Sequence, residues 1–203
     1  MGQVLALDAL LSAQQVWRGR PAAPAHAQPS TGHAALDALL PGGGWPDAAL
    51  TELLLTADGI GELRLLLPTL ARLTQTRQPV ILVAPPYLPF PAGWQHAGVD
   101  LAHLHLVQAA PRDALWATEQ CLRSGCAGAV IAWPRQVDDR ALRRLQVAAT
   151  SGHTLGFVFR ELRAAANPSP AALRIAIEGV PPRLRILKCR GGNAPAQSLA
   201  MPA

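Results

Sequence analysis

From residue 49 onward the apolar residues fall into short runs separated by amphipathic stretches. ALTELLL (49–55), PVILVAP (79–85), HLHLVQ (103–108), AGAVIAW (127–133) and TLGFVFR (154–160) read as strands. Apolar runs with little polar alternation suit parallel strands, which are buried on both faces. Between them, ELRLLLPTLARLTQ (62–75), PRDALWATEQCLRSG (111–125) and DDRALRRLQVAATSG (138–152) place apolar residues at helical spacing. Pro111 suits a first helical turn, and Asp138-Asp139 stands where a helix cap is wanted. Strands alternating with helices of ten to fifteen residues predict right-handed βαβ units. The expected class is α/β with a largely parallel sheet.

Two regions break this rhythm. ALRIAIEG (172–179) and PRLRILKCRGG (182–192) alternate apolar and charged residues around the turn sequence GVPP, predicting an antiparallel hairpin with one wet face. Strict alternation puts Arg183, Arg185 and Leu187 on one side, and Leu184, Ile186 and Lys188 on the other. Residues 191–203 read as a tail without regular structure. At the other end, Val4, Leu7, Leu10, Leu11 and Val16 predict a helical arm over 1–18, and the Pro/Ala-rich GRPAAPAHAQPS a linker over 19–30. Ser30 or Thr31 is placed to cap a short helix before Pro41. The main domain is therefore expected over 31–190.

Composition narrows the class. Half of the 203 residues are hydrophobic and 15% are charged, against about 25% in an average soluble domain. One domain with a sizeable core is expected, and wholesale disorder is excluded. Charged residues interrupt each apolar run before it could cross a bilayer, so no membrane association is expected. Asp8 and the lack of a basic leader argue against a secretory signal in MGQVLALDAL. Cys121, Cys126 and Cys189 form an odd set without metal spacing, which predicts reduced thiols in the cytoplasm.

Charge is distributed unevenly. Residues 1–159 carry eleven basic and eleven acidic side chains. From residue 160, Arg160, Arg163, Arg174, Arg183, Arg185, Lys188 and Arg190 face only Glu161 and Glu178, so the whole +5 lies there. Such a strip points to an anionic partner, with Arg174, Arg183, Arg185, Lys188 and Arg190 as candidate contacts for single-stranded DNA or an acidic protein surface. An Arg-rich solvated face is the plainer reading.

In a parallel sheet, ligand chemistry is sought in the turn after the first strand. Here that turn is TADGIGELRLLL (56–67). A phosphate cradle needs glycines to bare N–H groups, a Lys for the phosphates and a Ser or Thr for magnesium. Gly59 and Gly61 remain, but Glu62 and Leu63 stand in the other two places. A carboxylate repels a triphosphate and instead suits the positive end of a helix. The loop reads as structural.

STGHAALDALLPGGGWPDAALTEL (30–53), RQPVILVA, AGVDLAHLHLVQ and RSGCAGAVIAW resemble RecA-type recombinases around their nucleotide loop. LTELL…GIGELRLLLPTLARL, LVAPPYLPFP, DALWATEQCLRSG and AVIAW are more specifically similar to the ImuA/SulA group. ImuA is a RecA-like family accompanying bacterial translesion synthesis, and SulA a related cell-division inhibitor. The resemblance covers most of residues 30–190 and implies a RecA-like three-layer core. It also shows departures. Glu62 replaces the phosphate-loop Lys. Val83, Ala84, Pro85 and Pro86 occupy the ground of a catalytic carboxylate, and Trp133-Pro134 that of a metal-holding Asp. Losing all three together implies no ATPase, no cofactor and no metal, since phosphoryl transfer rests on positioning and charge stabilisation. The ImuA resemblance implies an adaptor in a DNA-damage-induced complex. Its partners would be an ImuB-like inactive Y-family polymerase homologue, through it an error-prone C-family polymerase, and RecA. The SulA resemblance implies instead an SOS inhibitor that binds FtsZ.

Remaining candidates are weaker. His103 and His105 are two apart on an expected strand, hence on one face, but have no third ligand at useful spacing. Cys121 and Cys126 flank the expected helix end at Ser124-Gly125 and make a poor redox pair. Trp116 and Trp133 are expected in the core or lining a site. Trp17, Trp45 and Trp94, beside Gly or Pro, are candidates for partly exposed partner contacts. By analogy with RecA-type polymers, the arm could dock on a partner.

Overall fold

The structure, a computed structural model, describes residues 28–134 and 137–202. The elements in chain order are α1 (Ala34–Asp37), β1 (Leu50–Leu55), a 3-10 turn (Glu62–Leu65), α2 (Leu67–Gln75), β2 (Val80–Val83) and α3 (Pro91–His96). A 3-10 turn (Leu101–His103), β3 (Leu104–Val107), α4 (Ala114–Arg123), β4 (Ala129–Ala132), α5 (Asp139–Ser151) and β5 (Leu155–Glu161) follow. A last 3-10 turn (Leu162–Ala166) leads to β6 (Leu173–Glu178), β7 (Arg183–Cys189) and β8 (Ser198–Ala200). All eight strands form one sheet in the order β3-β2-β4-β5-β1-β6-β7-β8. β1 to β6 are parallel, and β6-β7 and β7-β8 are antiparallel. The expected α/β class and C-terminal hairpin are present.

Both faces of the parallel strands are covered, which is why their sequences do not alternate. On one face Leu53, Leu55, Leu82 and Phe157 pack with Leu65, Leu66, Leu70 and Leu73 around α2, and with Trp94 of α3. On the other, Leu50, Val83, Val130 and Val158 meet Leu122 of α4 and Leu142 and Leu145 of α5. The chain runs from β1 toward the β3 edge over the first face and returns over the second. Direction and face change together, so the crossovers keep one hand.

The lead-in to β1 is folded onto the first face. Gln28 N donates to Gly42 O at 3.2 Å and Trp45 N to Pro29 O at 2.9 Å. The last three residues of the expected linker are therefore part of the domain, whereas the helical arm over 1–18 and linker residues 19–27 lie outside the described residues. Trp45 is wholly buried, its Nε1 donating to Thr69 Oγ1 at 2.8 Å and its ring edge-on to Phe157. Ser30 and Thr31 do not cap α1, whose N-cap is His33. They bind Asp37 instead: Ser30 Oγ donates to Oδ2 at 2.6 Å and Thr31 N to Oδ1 at 2.9 Å.

Other expectations need correction. The helix expected over 62–75 is a 3-10 turn followed by α2, because Pro68 suits a first helical turn and not an interior. α3 and β8 were not anticipated. The tail expected over 191–203 is not without structure: Leu199 and Met201 pack on the first-face core, and Ser198–Ala200 pair with β7. His103 belongs to a 3-10 turn and not to a strand. In the hairpin, a register shift between Arg174 and Ile175 sets Lys188 opposite Arg174. That bulge moves Lys188 to the side of Arg183 and Arg185.

Burial pushes the Asp37 carboxyl up, but the bonds from Ser30 and Thr31 together hold it below its ordinary value. A lowered folded-state pKa contributes stability above the unfolded value, lost as pH falls through the folded one. Asp37→Ala should cost about 1 kcal/mol at neutral pH. Urea unfolding of both proteins should show that difference shrinking below about pH 4.

Candidate functional site

The C-terminal ends of the parallel strands form a cleft of about 730 Å³. β1 contributes Leu55 and the following Thr56 to Asp58, β2 the segment Ala84 to Pro86, and β4 Trp133 and Pro134. This is where an open parallel sheet places a ligand. The loop after β1 is closed on itself. Gly59 and Gly61 both take positive φ, 81° and 94°, so the chain doubles back before the 3-10 turn. The buried Glu62 side chain then accepts the Gly59 N–H through Oε1 at 3.0 Å. An N–H that a phosphate would need is already bound to a carboxylate. Across the cleft, Trp133 stacks on Phe159 with ring centroids 5.1 Å apart. Among the described residues, the carboxylates on the rim are Asp58 and Glu161, and the lining cation is Arg160.

Beside this cleft the chain presents an apolar protrusion. Tyr87, Leu88 and Phe90 are 72%, 77% and 72% exposed, within a segment that contains Pro85, Pro86, Pro89 and Pro91. Four prolines fix much of the backbone, so less entropy remains to be lost when such a loop is held by a partner. Leu106 on the β3 edge and Trp116 on the first turn of α4 are also exposed. Trp116 thus reverses its expected place in the core or a site. Trp45 and Trp94 reverse theirs too, being buried and not partner-facing. Trp133 lines the cleft as expected, and Trp17 lies outside the described residues. The run LVAPPYLPFP was visible in the sequence, but its exposure was not: only the turn out of β2 decides it.

The basic strip is largely turned inward or engaged. Glu52 of β1 is fully buried and receives Arg160 Nη1 at 2.5 Å and Arg174 Nε at 2.8 Å. Arg160 also donates to Val137 O, and Arg174 to the carbonyls of Ala164 and Asn167. Arg174 is thus no candidate for a partner contact; it is an internal counter-charge. Lys188 is half-buried and donates to Ser169 O at 2.6 Å. Burial, with the Arg190 and Arg174 charges, pushes its ammonium below the ordinary value, while Glu52 opposes them. Arg183 donates to Ser198 Oγ and O, and Arg185 pairs with Glu178 at 2.7 Å. Arg190 is exposed, with no acidic partner among the described residues. A continuous free basic face over 172–190 does not form, because Glu52 (far away in sequence) takes Arg174, the tail strand takes Arg183, Glu178 takes Arg185 and Ser169 O takes Lys188.

The lesser candidates also find their places. Asp138 caps α5, accepting Ala141 N at 2.7 Å, as expected. His103 lies 3.9 Å from Asp100. Among the described residues no group of three His, Cys, Asp or Glu could hold a metal ion, and no helix is long and apolar enough to cross a membrane. Cys121, Cys126 and Cys189 are free. Burial raises the Cys121 and Cys189 thiols above their ordinary values, Cys126 adding to the first.

The family model described as cell division inhibitor SulA matches residues 49–156, just over half of the chain. The chain belongs to the SulA family. The match spans β1 to the start of β5, and so takes in the ends of β1, β2 and β4 on the cleft and the whole apolar loop, but not Phe159, Arg160 and Glu161 at the end of β5. No curated protein matches the sequence. Among solved structures, SulA from Pseudomonas aeruginosa is 28% identical, with a TM-score of 0.47 over 57% of this chain and 99% of that one. Against the SulA match, residues 157–202 stand outside the family segment yet supply both arginines that neutralise Glu52.

Removing the carboxylate would leave two buried guanidinium groups without their anion. Glu52→Ala is expected to cost about 3–5 kcal/mol. Denaturant unfolding monitored by tryptophan fluorescence measures it, and a loss under about 1 kcal/mol would show that the ion triad is not needed.

Proposed function

We propose that this chain is a non-enzymatic SOS-response inhibitor of cell division that binds FtsZ and limits its assembly. Membership of the SulA family carries the reading. Two features of the site support it. The apolar Tyr87-Leu88-Pro89-Phe90 loop lies within the matched segment and offers a partner large side chains on a stiffened backbone. The neighbouring cleft puts Glu62 and the Trp133–Phe159 stack where nucleotide chemistry would need a Lys and a metal-holding acid. A RecA-like architecture without hydrolysis fits both, and the strand order with β1 between β5 and β6 supports it.

A second reading keeps the ImuA side of the resemblance: an adaptor in translesion synthesis. It would join an ImuB-like polymerase homologue, an error-prone C-family polymerase and RecA, with single-stranded DNA as a further contact. What favours it is the lead-in over 30–46 and the extent of chain beyond the matched segment, which completes the sheet with β6, β7 and β8.

The two readings separate in one assay. Purified full chain at equimolar ratio should lower the amount of FtsZ polymer sedimented with GTP, and Tyr87→Ser with Phe90→Ser should restore it. Unchanged sedimentation, with co-purification of the polymerase homologue from DNA-damaged cells, would transfer the function to the second reading. DNA-stimulated ATP hydrolysis above a mock preparation would overturn both.

A further inference from the structure

A second groove, of about 810 Å³, opens on the α4/α5 face, on the far side of Arg160 and Glu161 from the cleft. Arg140 and Arg144 of α5, four residues apart and hence on one helix face, form one wall. Arg163 and Asn167 form the other, Arg160 closes the floor, and Leu115, Val137, Ala141 and Ala164 supply its apolar surface. Four guanidinium groups therefore converge here against two carboxylates, Asp138 and Glu161. Both carboxylates have work already. Asp138 caps α5 and Glu161 pairs with Arg163. Arg144 pairs with the buried Glu119 of α4, and Arg160 is tied to Glu52. Arg140 has no acidic partner among the described residues.

We propose that this groove binds an acidic peptide segment of another protein. Guanidinium groups match carboxylates in planar two-point geometry, and Arg140 and Arg163 are exposed on opposite walls to take one each. The apolar part of the lining suits the aliphatic part of such a segment. A single-stranded nucleic acid fits less well. It calls for a basic track with aromatic rings on which bases stack, and among the described residues no aromatic ring lines this groove. The assignment stands apart from whether FtsZ is the partner, since it uses a different face.

The test is fluorescence anisotropy of the full chain with a labelled dodecapeptide of alternating Glu and Ser. The same peptide with Gln for Glu, and a twelve-nucleotide oligothymidylate, serve as competitors. The acidic peptide should bind at least about tenfold more tightly than the Gln peptide at low salt, and weaken as ionic strength rises through about 0.15 M. Arg140→Gln with Arg163→Gln should reduce its affinity at least about fivefold, with unfolding unchanged because both side chains are exposed. Arg143→Gln, on the same helix but paired with Asp139 outside the groove, should leave affinity unchanged. Absence of peptide binding, tighter binding of the oligonucleotide, or equal affinity in the double variant and the parent would each overturn the proposal.

Discussion

A carboxylate with no exposure to water sits at the centre of an eight-stranded sheet, and the arrangement around it follows from neutralising that charge. Glu52 lies on β1 between β5 and β6, and each neighbour sends one arginine to it, Arg174 from directly opposite and Arg160 from two residues further along β5. The cost of burying an anion is met only if its counter-charges are close and themselves bonded. Arg160 reaches on to Val137 O and Arg174 to the 3-10 turn, so the ion triad also fixes two loops. Strand order, loop position and charge thus close on one residue.

The same logic governs the loop at the end of the sheet, where an open parallel sheet places a ligand. Positive φ at Gly59 and Gly61 makes a tight loop, but the acceptor for its free N–H is the chain's own Glu62. An internal carboxylate saturates a donor that a phosphate would have to recruit. On the opposite wall, Trp133 and Phe159 gain from stacking on each other, filling with apolar surface the ground where a metal ion would want oxygen ligands. What such a rim retains is area for contact, and the apolar loop after β2 adds to it.

How much of this the sequence disclosed depended on whether the cause was local. Parallel strands announced themselves because burial on both faces removes alternation, and β1, β2, β4 and β5 fall within two residues of their expected places at each end. The cap at Asp138 needed only three residues of context. The failures are long-range. Arg174 looked like a partner contact because its anion stands 122 positions earlier. Trp45 looked exposed because glycines precede it, yet the lead-in folds under α2 and closes its indole N–H on Thr69. Lys188 changed sides because one bulge is enough to invert a two-residue period. In the candidate site, Gly59, Gly61 and Glu62 were read as a structural loop from the chemistry of each residue type, and in the structure the Glu62 carboxylate holds the Gly59 N–H. The arginine groove escaped, because its walls come from α5 and from the turn after β5.

The division of labour among the arginines has a consequence for the family. The matched segment ends at residue 156, yet both counter-charges of Glu52 come after it. A family member lacking an equivalent of β6 cannot keep a carboxylate at this position of β1 on the same terms, because one arginine and the carbonyls that hold it would be gone. It must place an uncharged residue there or recruit a cation from another element. The acid on β1 and the strand on its far side are therefore one physical unit. The C-terminal strands are part of the core around β1 and not an appendage to a self-sufficient segment.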